Sequence, residues 1–172
     1  MEEFKINIYS YLKCDVANGI GLRVVCFFSG CGHHCEGCYS KETWKFSAGL
    51  PFDKEMQDQV MKDLSNPYIT GLTVSGGDCL HPKNAKALLP FLQRVKLELP
   101  EKDIWCWSGH TFQELKNNLL QAQCLEYIDY LVDGKFVKEL YEPDLLFRGS
   151  SQQRIIDVKK SLAQNEIVLY DE

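Results

Sequence analysis

Three cysteines lie close together in residues 29–40, which read S-G-C-G-H-H-C-E-G-C-Y-S. They are Cys31, Cys35 and Cys38, separated by three and then by two residues. Thiolates at this spacing can bind one compact metal centre, and soft sulfur ligands select zinc, copper(I) or an iron-sulfur cluster. A structural zinc site has four protein ligands, whereas a site that does chemistry leaves one position for a substrate. Three cysteines therefore favour an open, reactive centre.

Two other ligand sets remain open from the sequence. His33 or His34 could complete a zinc site with the three cysteines, and Cys26 could supply a fourth thiolate to a cluster. Cys26 belongs to the apolar run at residues 24–28, which is typical of a buried strand. A cysteine in such a run is more often a small core residue than a ligand. His33 and His34 are otherwise interpreted as polar loop residues.

The composition limits the class of protein. A chain of 172 residues with 45% hydrophobic residues is enough for one domain, residues 1–172, whose core needs no disulfides. The chain begins with acidic residues rather than a signal peptide, and no apolar run approaches the roughly 20 residues that span a bilayer. We therefore expect a soluble, cytoplasmic protein with reduced cysteines. The 19 basic and 24 acidic residues are scattered, which argues against a nucleic-acid or membrane surface.

Predicted strands alternate with predicted helices along the chain. The apolar patterns predict strands at residues 4–9, 23–28, 72–74, 104–107, 127–132, 154–158 and 167–170. One helix is expected after the capping residue Asp53, and another after the capping box of Thr111 and Glu114. A third helix runs through residues 85–95, with a kink at Pro90 or a start near Leu89. This alternation predicts an α/β fold with parallel strands.

Three further polar or glycine-containing segments resemble the cysteine loop in following a predicted strand directly. They are Ser-Gly-Gly-Asp at 75–78, Ser-Gly-His at 108–110 and Asp-Gly-Lys at 133–135. Ligands of parallel sheets bind beyond the carboxyl ends of the strands, so these loops are expected to meet at one edge. A complete eight-stranded barrel takes about 250 residues. We therefore expect a partial (βα) barrel of about five or six mostly parallel strands, open enough for a large substrate.

Several other residues have a structural interpretation. Trp105 and Trp107 share one face of their strand and are assigned to the core. His81 and His110 are expected to cap or pack rather than to catalyse. On the residues alone, the glycines at 76 and 77 could form a tight turn, and the charges at 133 and 135 a solvated ion pair.

Motifs along most of the chain resemble one known family. In order they are residues 18–23, 29–44, 72–82, 105–110, 132–136 and 147–151. In these segments the chain resembles the radical S-adenosylmethionine enzymes, and within them the activating proteins of anaerobic, class III ribonucleotide reductases. It departs from the family at Ile20 and Cys79, where proline is usual.

The resemblance implies a [4Fe-4S] cluster on Cys31, Cys35 and Cys38, with S-adenosylmethionine on the fourth iron. An electron from the reduced cluster would then break a carbon-sulfur bond of S-adenosylmethionine and give a 5'-deoxyadenosyl radical. The protein would orient the cofactors and exclude water from them. The cofactor-binding residues that the resemblance implies are Gly37, Cys38, Tyr39, Ser75, Gly76, Gly77, Asp78, Asp133 and Lys135.

The resemblance also assigns roles and partners. Gly76, Gly77 and Asp78 are expected to hold the methionine end, with Asp78 near the ammonium, while Asp133 and Lys135 meet the ribose side. The expected target is a glycine in the large anaerobic ribonucleoside-triphosphate reductase subunit, with electrons from a donor such as reduced flavodoxin. The alternative is a small zinc or ferredoxin-like metal-binding module without a substrate of its own.

Overall fold

A computed structural model of the chain describes residues 5–171 as a seven-stranded sheet with helices. The strands are β1 Asn7–Asp15, β2 Arg23–Phe28, β3 Leu50–Pro51, β4 Gly71–Gly76, β5 Asp103–Ser108, β6 Tyr130–Asp133 and β7 Arg154–Asp157. The helices are α1 Lys54–Leu64, α2 Pro82–Glu98, α3 Phe112–Lys116, α4 Leu119–Leu125 and α5 Val158–Gln164. Short 3-10 helices occur at Lys41–Thr43 and Lys138–Leu140. The strand order is β3-β1-β2-β4-β5-β6-β7.

The α/β prediction is confirmed, but the sheet differs from the expected one in strand number and direction. β2, β4, β5 and β6 are parallel neighbours, whereas β1, β3 and β7 join antiparallel. Three of the six pairings are therefore antiparallel, and the sheet is not closed into a barrel. A parallel connection needs a long crossover, usually a helix. The connection from β6 to β7 contains only one short 3-10 helix, and β7 returns in the opposite direction.

Helices α1 to α4 contribute to one large hydrophobic core on one face of the sheet. Val24, Cys26 and Phe28 of β2 alternate into this core, which also contains Leu64 of α1 and Leu92 of α2. Cys26 is fully buried there, and burial raises the pKa of its thiol well above the ordinary value. Cys26 is therefore a core residue, as its apolar run predicts.

The other face of the sheet carries a smaller aromatic core. Trp105 is fully buried there, and Tyr130 and Tyr170 pack against it with ring centroids 5.0 and 5.8 Å away. The strand predicted at 167–170 is wrong, since within the described residues this segment forms only an isolated bridge between Ile156 and Leu169. Its aromatic residue contributes by covering this face rather than by extending the sheet.

Arg23 is buried on the same face and joins three strands. Its guanidinium donates to Thr73 Oγ1 at 2.8 Å and to Asp103 Oδ1 at 2.6 Å. It also donates to the carbonyl of Leu72 at 2.8 Å. These bonds compensate the burial of the cation and connect β2 to β4 and to the start of β5.

The helix caps that the sequence predicts are present. Asp53 accepts from the Met56 amide at the start of α1, and Thr111 forms a capping box at the start of α3. α2 begins at Pro82, where the His81 side chain caps it, so the alternative start near Leu89 is wrong. His81 caps a helix as expected, and proline is tolerated in the first turn because that amide has no helical partner. No helix within residues 5–171 is long and apolar enough to cross a membrane.

β1 and β6 differ most from the predicted strands, and β1 also extends to Asp15, well past the predicted end at residue 9. β1 begins at Asn7 rather than at residue 4, and Phe4 lies outside the described residues. β6 begins at Tyr130, because α4 ends shortly before it and residues 126–129 form the connecting turn. Both shifts leave the carboxyl ends of β2, β4, β5 and β6 at the same edge of the sheet.

Candidate metal centre

The loops that follow the four parallel strands meet around one cavity of about 220 Å³. Cys31, Cys35 and Cys38 lie on its wall after β2. The loops after β4, β5 and β6 complete it, with Gly77, Gly109 and Lys135 among their lining residues. The prediction that candidate chemistry collects at one sheet edge is therefore confirmed.

The three cysteines of the loop are free thiols, and backbone bonds hold the start of their loop. The Gly30 amide donates to the Thr43 carbonyl at 2.6 Å, and the Cys31 amide donates to the Trp44 carbonyl at 3.1 Å. Burial raises the pKa of the Cys31 thiol, while the backbone amides of His33 and His34 act in the opposite direction. A metal ion would replace the thiol proton and remove this penalty, because thiolates are the binding form.

Neither histidine of the loop completes a four-ligand zinc site in the structure. Nε2 of His33 lies 2.8 Å from Asp78 Oδ2, and the His34 ring stacks on Trp44 at 4.3 Å. Cys26 lies in the core on the helix side of the sheet. Cys26 and His34 thus have other contacts, and His33, although it lines the cavity, engages Asp78 through Nε2, so the donor set fits an open cluster with three thiolate ligands.

Asp78 is not on the cavity wall, contrary to the role expected for it near a ligand ammonium. Its carboxylate is fully buried and accepts bonds from His33, His110 and Ser108, at 2.8, 2.8 and 2.9 Å. We call these four residues the Asp78 cluster. Burial alone would raise the pKa of Asp78, but the hydrogen bonds from the two histidines outweigh it and hold the pKa well below its usual range. The bond to Asp78 raises the pKa of His110.

Asp133 is also engaged with protein groups. Arg154 donates to both of its carboxylate oxygens, at 3.0 and 2.6 Å, and the Phe112 amide donates to one of them at 2.8 Å. Asp133 is 1% exposed and borders a neighbouring groove rather than the cavity. The ion pair expected with Lys135 is thus replaced by a bidentate pair with Arg154, while Lys135 itself lines the cavity.

The glycine loop after β4 lies between the cysteine loop and the sheet. Gly76 has φ of +117°, which other residues rarely adopt. A Cβ at Gly77 would lie 2.7 Å from the Gly30 carbonyl oxygen and 2.9 Å from that of Thr43. The two glycines therefore let this loop pack against the backbone of the cysteine loop, and with Ser75 they line the cavity. Gly76 and Gly77 can therefore form a tight turn and also line the cavity, so the two interpretations of these glycines do not exclude each other.

The remaining predicted residues divide between the cavity and its rim. Cys38 and Tyr39 line the cavity, whereas Gly37 does not. Trp107 lines it too, and it also packs against the core that contains Trp105, with ring centroids 5.8 Å apart, so both tryptophans belong to the core as predicted and Trp107 has a second place on the wall. Trp107 lies nearer the carboxyl end of β5, where the face that buries Trp105 opens into the cavity. Phe136, which was not among the predicted contacts, forms another part of the wall.

Comparison with known proteins agrees with this geometry. Residues 17–156 match the model of a family described as a 4Fe-4S single cluster domain. The chain therefore carries an iron-sulfur domain, which is the class of protein that the open three-cysteine loop indicates.

Curated relatives define the family more closely. An anaerobic ribonucleoside-triphosphate reductase-activating protein from Pasteurella multocida is 51% identical over 87% of this chain and 96% of its own length. Proteins of the same name from Escherichia coli K12 and Enterobacteria phage T4 are 47% and 43% identical, over 86% and 83% of this chain and 96% and 88% of their own lengths. The chain belongs to the family of anaerobic ribonucleoside-triphosphate reductase-activating proteins.

Proposed function

We propose that this protein is a radical S-adenosylmethionine activase that generates the glycyl radical of an anaerobic ribonucleoside-triphosphate reductase. The observation that carries the proposal is the cavity at the strand ends, where three free thiols face a glycine loop and a lysine. The names of the relatives support the same partner. In this proposal the open sheet serves as the partial (βα) barrel of the radical S-adenosylmethionine enzymes.

The proposed cofactors are a [4Fe-4S] cluster and S-adenosylmethionine. Cys31, Cys35 and Cys38 would hold the cluster, which supplies one electron for reductive cleavage of S-adenosylmethionine to methionine and a 5'-deoxyadenosyl radical. The protein contributes orientation and exclusion of water. Trp107 and Phe136 provide apolar wall for this purpose.

Binding roles follow from position on the wall. The exposed backbone of Ser75, Gly76 and Gly77 is proposed to meet the methionine end of the ligand, since glycines permit close approach. Lys135 and Tyr39 are proposed to meet the nucleoside side. Gly37, Asp78 and Asp133 do not line the cavity, and they are proposed to support the loops that do. Gly37 has φ of +79° and turns the loop before its last cysteine, while Asp78 and Asp133 hold the strand-end loops in place.

The proposed partner is the large reductase subunit, which must present a backbone glycine to the cavity. Tyr39, which lines the cavity, is 82% exposed, and Tyr141 is 46% exposed. Such amphipathic aromatic groups are common at protein interfaces. A donor such as reduced flavodoxin is proposed as the electron source.

An anaerobic radical-transfer experiment tests the proposal. Protein reconstituted with iron and sulfide should bind about four irons, and S-adenosylmethionine should change the EPR signal of the reduced cluster. Incubation with the reductase should then produce a glycyl doublet in the reductase. A Cys38→Ala variant, which lacks one of the three thiols, serves as the negative control and should give neither signal.

Other outcomes identify the alternatives. Stoichiometric zinc and no effect of S-adenosylmethionine would favour a zinc module. A stable cluster that transfers electrons without cleaving S-adenosylmethionine would favour a ferredoxin-like module. Formation of deoxyadenosine without a glycyl doublet would retain the radical chemistry and refute the reductase as target.

A further inference from the structure

The side chain of His33 leaves the cysteine loop and enters the buried Asp78 cluster. Its ring also packs edge-to-face against the His110 ring, with centroids 4.5 Å apart. Asp78 lies after β4 and His110 after β5, so one imidazole joins the cysteine loop to two strand ends. A hydrogen bond to a charged, buried carboxylate is about twice as strong as a neutral one.

The rest of this loop is held less firmly to the sheet. Between Cys31 and Cys35, the His33 amide donates to the loop's own Cys31 sulfur at 3.4 Å. Glu36 bonds to Lys138, but both side chains are exposed, at 76% and 60%. Exposed ion pairs contribute little to stability. Among the described residues, the His33 side chain therefore joins the middle of the loop to the fully buried carboxylate of Asp78.

Gly109 provides an independent sign that the fold is built around this imidazole. A Cβ at position 109 would lie 2.3 Å from Cδ2 and 2.6 Å from Nε2 of His33. Gly109 does not have a left-handed φ, so its backbone conformation does not require glycine. The space that the His33 ring occupies does require it. The loop after β5 thus leaves room for the ring at the position where it reaches Asp78.

We propose that His33 is a positioning residue for the metal centre. Its bond to Asp78 holds the segment between Cys31 and Cys35 against the sheet, so the three thiols face the cavity before any cluster binds. Preorganised ligands are held by neighbouring hydrogen bonds of this kind. The effect on the cluster rests on the ligation proposed above, whereas the ordering of the loop can be measured without metal.

Three substitutions separate a hydrogen-bonding role from simple packing. His33→Leu fills much of the space without a donor, and His33→Gln retains an N–H donor of similar reach. His34→Asn is the matched control, because His34 is the next residue, stacks on Trp44 rather than bonding to Asp78, and has φ of +50°, which asparagine tolerates. Hydrogen-deuterium exchange of the amides at residues 32–37 is measured in the metal-free proteins. Iron release to a chelator is measured after reconstitution, and urea unfolding checks the fold.

We expect His33→Leu to exchange these amides and to release iron about tenfold faster, the size expected for one hydrogen bond to a charged group. His33→Gln should restore most of the protection, and His34→Asn should resemble the unmodified protein. Gly109→Ala keeps the imidazole but displaces it, and should reproduce the effect of His33→Leu. This variant also carries the test if His33→Leu fails to fold.

The proposal is overturned if the amides at residues 32–37 exchange as slowly in His33→Leu as in the unmodified protein. It is equally overturned if they exchange as fast in His33→Gln as in His33→Leu. It is also overturned if His34→Asn has the same effect as His33→Leu. If exchange protection of residues 32–37 depends on His33 but the protein shows no radical chemistry, only the proposed function is refuted. Normal radical chemistry with unchanged protection in His33→Leu would refute only the positioning role.

Discussion

Replacing Cys26 and Cys31 separately by alanine gives the sharpest test of the ligand set. Cys26 is fully buried in the helix-side core, whereas Cys31 lines the cavity. Removing one sulfur from a filled core resembles removal of one methyl group, which costs about 1 kcal/mol. We therefore expect Cys26→Ala to lower the free energy of unfolding by about 1 kcal/mol and the melting temperature by about 2–4 °C. Its iron content should not change.

Cys31→Ala should show the opposite pattern. It removes one of the three proposed protein ligands, so the reconstituted protein should lose its iron and its brown absorbance. The metal-free variant should remain folded, because the cavity wall is not part of the main core. Iron analysis per chain, with urea unfolding of the metal-free proteins, measures both quantities.

The result that would refute this reasoning is a loss of iron in Cys26→Ala as complete as that in Cys31→Ala. A stable, folded Cys26→Ala without iron would mean that the buried thiol is a fourth ligand. The centre would then be closed, and the proposed binding of S-adenosylmethionine to an open iron would be wrong.

The remaining predictions concern Trp107 on the cavity wall, the buried Arg23, and the pH dependence of stability at Asp129. Trp107→Leu should weaken binding of S-adenosylmethionine to the reconstituted protein about tenfold in equilibrium dialysis, as expected for loss of an aromatic contact. Arg23→Met should lower the free energy of unfolding in urea by about 3 kcal/mol, because it leaves a carboxylate and two acceptors without their buried partner. Burial opposes ionisation of Asp129, but bonds from Lys159 and Lys96 outweigh it and lower its pKa. Asp129 should therefore stabilise the metal-free fold above about pH 4, and less as pH falls through its folded pKa. Asp129→Asn should flatten this part of the stability profile.

Local patterns were sufficient for several elements of this fold. The apolar run ending at Phe28 forms β2, and the capping signals at Asp53 and Thr111 lie at the starts of α1 and α3. These features depend on a few neighbouring residues, which the sequence displays directly. The meeting of the strand-end loops could also be predicted, because parallel neighbours place their carboxyl ends at one edge.

The engagement of the carboxylates could not be predicted in the same way. Asp78 and Asp133 stand in the expected loops, but His33 and Arg154 reach them from distant parts of the chain. Such pairings leave no periodic pattern in the sequence. The second place of Trp107, on the cavity wall, could not be predicted because strand alternation gives the face of a side chain but not where a cavity opens on that face.

The cavity has a consequence for the order of events after synthesis. Its wall combines Cys31 near the beginning of the chain with Gly109 and Lys135, which are made much later. Small zinc domains fold around their ion, but here the supporting core is distributed over the sheet and helices. During synthesis the three thiols leave the ribosome before most of the surrounding wall exists. If these thiols are the cluster ligands proposed above, they are accessible to adventitious metals during this period, and the wall that would surround the cluster forms only with the completed fold.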